Sequence, residues 1–163
     1  MSKWPAAAVV LLLGTGCKPA ATASPPLVGA WRSRIQFSDG VFAAMKDLEF
    51  LYLFNAGGTL TESSNYDEAP PVPPAYGVWR EVAPSRFEAK YLFYITRPPS
   101  RFEELIGGGG WQPGGHGEFL ERIQLAPDGK SFESTITYEG FDSAGRVAMG
   151  GGSATGHGVR IAF

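Results

Sequence analysis

Cysteine is nearly absent. Cys17 is the only one in 163 residues, so no disulfide can form within the chain and the fold must hold through its core alone. Charge is also scarce: Asp, Glu, Lys and Arg make up 18% of the chain, and the formal net charge is −2. Such a chain has no electrostatic footprint for nucleic acid. The longest apolar run, Trp4 to Leu13, is too short to cross a bilayer as a helix, which needs about 20 residues. There is no P-loop, no G-x-S-x-G and no paired-cysteine motif. With only two histidines, few metal or nucleophile constellations are open. No repeat of fixed period appears.

Aromatics and chain-breakers are abundant. Aromatic residues are 13% of the chain, with 22 glycines and 13 prolines, a composition that favours short strands and many turns. Leu27 to Phe37 alternates, with Leu27, Gly29, Trp31, Ser33, Ile35 and Phe37 on one face and Arg32, Arg34 and Gln36 on the other. This is the pattern of a half-buried strand. Leu48–Asn55, Thr59–Tyr66, Tyr76–Val82, Arg86–Thr96, Glu118–Ala126 and Ser131–Gly140 read as further strands. Asn55-Ala-Gly-Gly58, Pro127-Asp-Gly129 and Asp142-Ser-Ala-Gly145 read as turns between them. A last strand starts at Arg146, is expected to break at Gly150-Gly-Gly152, and finishes over Val159–Phe163. Asp39–Lys46 reads as a short turn or lid. The four prolines of Asp67–Ala75 mark a loop, and Arg97–Gly117 reads as a long irregular segment.

About eight strands with short connections predict antiparallel neighbours. One apolar face is most simply buried by closure into an up-and-down barrel, which also removes both sheet edges. The expected fold is therefore an all-β, antiparallel, eight-stranded β-barrel over residues 27–163, with a two-sheet sandwich as the rival. A barrel of this size is either filled by side chains or holds one small ligand.

Upstream, Lys3 is followed by the apolar run and then by Gly14-Thr-Gly-Cys17. The order of charge, apolar core and small residues is that of a secretory signal. The cysteine directly after the small residues resembles the lipobox of bacterial lipoproteins, although Gly14 stands where that family usually has Leu. The resemblance implies a signal peptide over residues 1–16 and lipid attachment at Cys17. Residues 17–26, rich in Ala, Thr, Ser and Pro, then form a flexible tether. It also implies an exported protein held to the membrane by its N-terminal lipid. Lys18 replaces the Asp that retains family members at an inner membrane, which favours the outer membrane.

Gly29-Ala30-Trp31 on the first strand resembles the calycin superfamily, the lipocalins in particular. There the Trp closes one barrel end and an Arg from a late strand packs across it. The resemblance assigns structural roles to Gly29, Trp31 and Arg160, with Arg146 as a second candidate for the arginine. The second lipocalin signature, T-D-x-x-Y, is missing. Phe54–Thr61, Gly77–Arg80 and Pro127–Phe132 also look like a group of small bacterial secreted β-barrel proteins, a likeness that implies fold and not activity.

The residues expected to line a ligand cavity are Phe50, Tyr52, Phe54, Tyr91, Phe93 and Tyr138, which face inward on their strands. Equally, they would serve as plain core. His116 and His157 sit in glycine-rich sequence and read as exposed loop histidines. A zinc site with Glu118 lacks the usual ligand spacing. No catalytic residue, metal or cofactor is expected. Glu121 shares a face with Phe119, Ile123 and Leu125, and an inward Arg80 is its expected ion-pair partner. The function this pattern favours is a membrane-anchored barrel that binds a small apolar or amphipathic ligand, with the proline-rich and glycine-rich loops at its rim. The shape also allows a filled barrel that docks an envelope component through an exposed Trp111, or a small-barrel cyclase or isomerase.

Overall fold

The computed structural model of the chain describes residues 25–66, 74–107 and 109–163. The signal segment 1–16, the attachment residue Cys17 and three of the loop prolines (Pro70, Pro71 and Pro73) lie outside the described residues. Eight strands follow in order: β1 (Gly29–Phe37), β2 (Leu48–Phe54), β3 (Thr59–Ser64), β4 (Ala75–Ala83), β5 (Arg86–Arg97), β6 (Gln112–Leu125), β7 (Ser131–Phe141) and β8 (Val147–Arg160). A one-turn helix, α1 (Phe102–Ile106), lies between β5 and β6. No helix among the described residues is long and apolar enough to cross a membrane.

Each strand pairs antiparallel with the next, and β1 pairs with β8, so the sheet closes into the eight-stranded up-and-down barrel that the sequence predicts. Closure leaves no open edge to protect. Alternation sets the two faces. In β1, Trp31, Ser33, Ile35 and Phe37 are buried while Arg32, Arg34 and Gln36 are exposed. In β7, Phe132, Ser134, Ile136 and Tyr138 point in while Glu133, Thr135, Thr137 and Glu139 point out. The outer charges pair among themselves, as in the bidentate contact of Arg32 with Glu49 at 2.7–3.0 Å. At the surface such pairs contribute little stability.

Two segments depart from the sequence expectation. β8 runs unbroken through Gly150-Gly-Gly152. Its inner face is Ala154, Gly156 and Gly158, all buried, because large neighbours occupy the space. A Cβ on Gly158 would lie 2.2 Å from the Phe132 ring, and one on Gly156 would lie 2.5 Å from Ser134 Oγ. Gly156 and Gly158 are thus sites of close packing, against Ser134, Ile35 and Ser33 and against the Phe132 ring respectively. Val159 faces outward.

The second departure is Gln112-Pro-Gly-Gly-His-Gly117, which extends β6 and pairs with Phe93–Arg97 of β5. The pairing absorbs Pro113 at a register shift between Ile95 and Thr96. Gly115 holds a φ of +125°, and a Cβ there would lie 1.9 Å from Phe141 O, so only glycine fits. The irregular stretch therefore shrinks to the segment around α1. His116 and His157 consequently sit on strands, not loops. His116 stacks on Phe141 with centroids 4.9 Å apart, and His157 Nδ1 lies 2.7 Å from Glu133 Oε1.

The two barrel ends differ. One is closed by tight turns and a tryptophan plug. Trp31 is fully buried, its indole donates to Leu27 O at 2.9 Å, and its ring packs on Phe132 at 5.2 Å. Arg160 lies across it. The other end carries segment 38–47, the ends of β3 and β5 and helix α1, and the site lies there.

Candidate functional site

Beneath segment 38–47 is a cavity of about 480 Å³. Its floor and walls are Phe50, Phe93 and Phe119, with Phe37 and Leu48 beside them. Segment 38–47 contributes Phe42 and Met45. Phe42 is held by rings on three sides: Phe37 at 5.2 Å, Tyr138 at 5.0 Å and Tyr66 at 6.1 Å. The segment is fixed at both ends. Ser153 N donates to Asp39 Oδ1 at 2.8 Å, and Asn65 Nδ2 donates to Asp47 O at 2.9 Å. The expected lid over Asp39–Lys46 is therefore a pair of turns whose side chains form part of the cavity wall.

One wall residue is charged in chemistry. Glu62 on β3 faces inward between Tyr52 of β2 and Ala75 of β4, its register partners. It is 4% exposed. Its Oε1 has no hydrogen-bond partner among the described residues. Burial, and then the nearby charge of Glu121, push its carboxyl up to about 8 from an ordinary 4.5. A carboxyl removed from water without a donor or cation favours its neutral form.

Deeper in the core lies a hydroxyl chain. Tyr91 donates to Glu121 Oε2 at 3.0 Å, and the Tyr52 and Tyr91 hydroxyls are 3.3 Å apart. With the Tyr91 proton committed to Glu121, Tyr52 is the donor in that second bond. Glu121 is fully buried. Burial raises its carboxyl, and nearby hydroxyls, among them the donor Tyr91, act against that rise. Both tyrosines are pushed well above the ordinary phenol value, first by burial and next by the charge of Glu121. They remain neutral donors at any physiological pH.

The expected partner of Glu121 is corrected here. Arg80 lies on the outer face, where it meets Glu88 at 2.8 Å. Tyrosine hydroxyls do inside what an arginine was expected to do, since the barrel wall stands between Arg80 and the core. Among the described residues neither Glu62 nor Glu121 forms an ion pair.

Of the six aromatics expected at a ligand, Phe50 and Phe93 line the cavity. Tyr52, Phe54 and Tyr91 instead fill the core below it, with Tyr52 stacked on Phe54 at 5.4 Å. Tyr138 backs the wall, packed on Phe42, Phe93 and Phe119. Glu62, Phe37, Phe42, Met45 and Phe119 were missed as site residues. The signal for Glu62 lay in Thr59-Leu-Thr-Glu-Ser-Ser64, where Glu62 alternates in phase with Leu60. Trp111 is half-buried rather than fully exposed. No cluster of three or more metal-ligating side chains occurs among the described residues.

At the closed end, Arg160 sits with its guanidinium carbon 4.2 Å from the Trp31 ring centre. The same group donates to Val28 O at 2.7 Å and Gly129 O at 2.9 Å, and also to Pro26 O. Gly29 leaves the room this requires, because a Cβ there would lie 2.6 Å from Arg160 Nη1. Arg146 is used elsewhere, in a turn contact with Asp142 at 2.8 Å.

No protein-family model matches the chain, and no curated protein matches it. Among solved structures, the chain is similar to an S-type phycobiliprotein lyase from Guillardia theta, with 13% identity, a TM-score of 0.40, and coverage of 85% of this chain and 90% of that one.

Proposed function

We propose that this chain is an exported lipoprotein, anchored through Cys17, whose barrel binds one small, largely apolar ligand in the cavity beneath segment 38–47. The observation that carries the binding reading is the cavity itself: about 480 Å³ walled by Phe37, Phe42, Phe50, Phe93 and Phe119, with Glu62 as the one acid lining it among the described residues. Volumes of roughly 300–1,000 Å³ with apolar walls and a few fixed polar groups are what small-molecule sites have. The closed end, filled by Trp31 and Phe132, supplies the rigid base that such a site needs. The anchor rests on the sequence alone. Several acyl chains at Cys17 give stable attachment where one would not, and the residues up to Pro26 set the barrel off the bilayer.

The test is a titration of the full chain with N-phenyl-1-naphthylamine, whose fluorescence rises in an apolar pocket. Saturable enhancement at one site per chain supports the reading, and no enhancement overturns it. The anchor is tested separately, by the mass of the mature N-terminus and by whether Cys17→Ser leaves the membrane fraction.

A further inference from the structure

The cavity is acidic inside and has no cation of its own. Glu62 lines it, is 4% exposed and carries a partnerless Oε1. Glu121 stands behind, close enough to raise Glu62 by its charge. Among the described residues no Lys or Arg lines the cavity. The basic side chains Arg32, Arg80, Lys90 and Arg122 are spent on the outer face, against Glu49, Glu88 and Glu118.

We propose that the ligand is an amphipathic amine: an apolar body held by Phe50, Phe93 and Phe119, and an ammonium group received by the free oxygen of Glu62. The inference rests on the binding reading above and gives it a ligand class. A buried carboxyl without a partner destabilises the fold. An ammonium answers both deficits, since it donates to the oxygen and balances the charge. A neutral alcohol donates but leaves the charge uncompensated. The second carboxyl, Glu121, adds to the field at the same place, so a cation gains from both. An anion such as a fatty acid would meet two carboxyls and, among the described residues, no basic side chain in the lining, so it is disfavoured against a cation.

Proton balance follows. The free protein holds a proton on Glu62 near neutral pH, because the group titrates at about 8. An ammonium favours the carboxylate, so binding the amine expels that proton to solvent. Affinity for the amine therefore rises with pH until Glu62 is fully ionised. The groups facing Glu62 do not imitate this. Tyr52 and Tyr91 stay neutral, being pushed far above the ordinary phenol value. Glu121 is also raised and is controlled by its own variant. At the mouth stand Tyr66 and Tyr94, and Asp39, Lys46 and Asp47 of segment 38–47 are exposed.

The experiment compares 4-phenylbutylamine with 4-phenylbutan-1-ol, matched in body and different in head group. Each displaces N-phenyl-1-naphthylamine from the full chain between pH 6 and 9. At pH 7 the amine is expected to bind about tenfold tighter than the alcohol, the size of one charge-assisted contact. Its advantage grows with pH, while alcohol binding stays flat. Glu62→Gln, which keeps the shape and removes the charge, is expected to abolish the preference, so that amine and alcohol bind within about twofold of each other. An alcohol that binds as well as the amine, or a preference that survives Glu62→Gln and vanishes in Glu121→Gln, overturns the proposal while the binding reading stands. If neither probe nor the dye binds, both fall.

Discussion

Trp31 and Arg160 are backbone partners across the β1–β8 seam, and the guanidinium of Arg160 covers the Trp31 ring at 4.2 Å. One side chain thus locks the joint that turns a sheet into a barrel. Besides the ring, it reaches three carbonyls, those of Pro26, Val28 and Gly129, which belong to the entry segment and to the β6–β7 turn. Arg160→Ala removes the cation–π contact and leaves those carbonyls without their charged donor. The expected loss is about 2–4 kcal/mol, read from the urea midpoint. Arg160→Lys is expected to recover little, because a point charge cannot reach three carbonyls and the ring together. A loss below about 0.5 kcal/mol for the alanine variant would show that the seam closes without it.

The hydroxyl chain makes a second, graded prediction. Tyr91→Phe deprives Glu121 Oε2 of its 3.0 Å donor inside a dry core, an expected cost of about 1–3 kcal/mol. Tyr52→Phe removes only the outer link of the chain and is expected to cost less. The double variant should lose less than the sum of the two, because Tyr52 acts through Tyr91. Equal and additive losses by chemical denaturation would contradict the chain.

Stability should depend on pH in an unusual direction. Glu62 titrates at about 8 in the folded chain against an ordinary 4.5. Between those values the folded protein holds a proton that the unfolded chain has given up. Stability is therefore full below pH 4.5 and is lost as pH rises toward 8, by an amount of order 3–5 kcal/mol. In melting temperature this is roughly 10 °C between pH 5 and 8. Glu121, raised in the same direction, adds to the slope. Glu88, Glu118 and Asp142 are lowered by their basic partners, so they act at the acid end, outside this window. Glu62→Gln should flatten most of the slope and melt higher than the parent at pH 8. A parent that melts higher at pH 8 than at pH 5 would reverse the sign and refute the burial of Glu62.

Much of the fold was legible because burial on one face leaves a period of two in the strand. β1, β5 and β7 carry it mainly in large residues: Trp31, Ile35 and Phe37; Phe87 and Tyr91; Phe132, Ile136 and Tyr138. β8 was half-hidden because its inner residues are Gly156 and Gly158, and glycine at a packed position looks like glycine at a break. The site was less legible. Inward aromatics on one strand look alike, yet only those toward segment 38–47 meet the cavity. Phe50 does so while Phe54, four residues on, lies in the filled end. Height in the barrel depends on register between strands, which no single strand reports. Phe42 and Met45 come from a segment with no period at all.

The glycines of β8 should separate by position. Gly158→Ala places a methyl 2.2 Å from the Phe132 ring and is expected to cost about 1–3 kcal/mol through overpacking. Gly150→Ala meets nothing within 4 Å, so it should be neutral or gain up to about 1 kcal/mol by restricting the unfolded chain. Thermal melts of the two variants decide the matter. A tolerated Gly158→Ala would mean that Phe132 can yield, and that the closed end is softer than its packing implies.

Ala75 offers the most direct way to separate cavity from fold. It lines the cavity and pairs with Glu62 across β3 and β4. It is 2% exposed and borders the cavity, so a larger side chain there would compete with a ligand for the same volume. Ala75→Phe is expected to fill the room between Glu62 and Phe93, abolish displacement of the dye by any probe, and leave the melting temperature within about 4 °C, the shift of roughly 1 kcal/mol in a domain of this size. A variant that melts normally and binds as before would show that the ligand lies elsewhere, since a benzyl group at Ala75 and a ligand against Glu62 cannot share that volume.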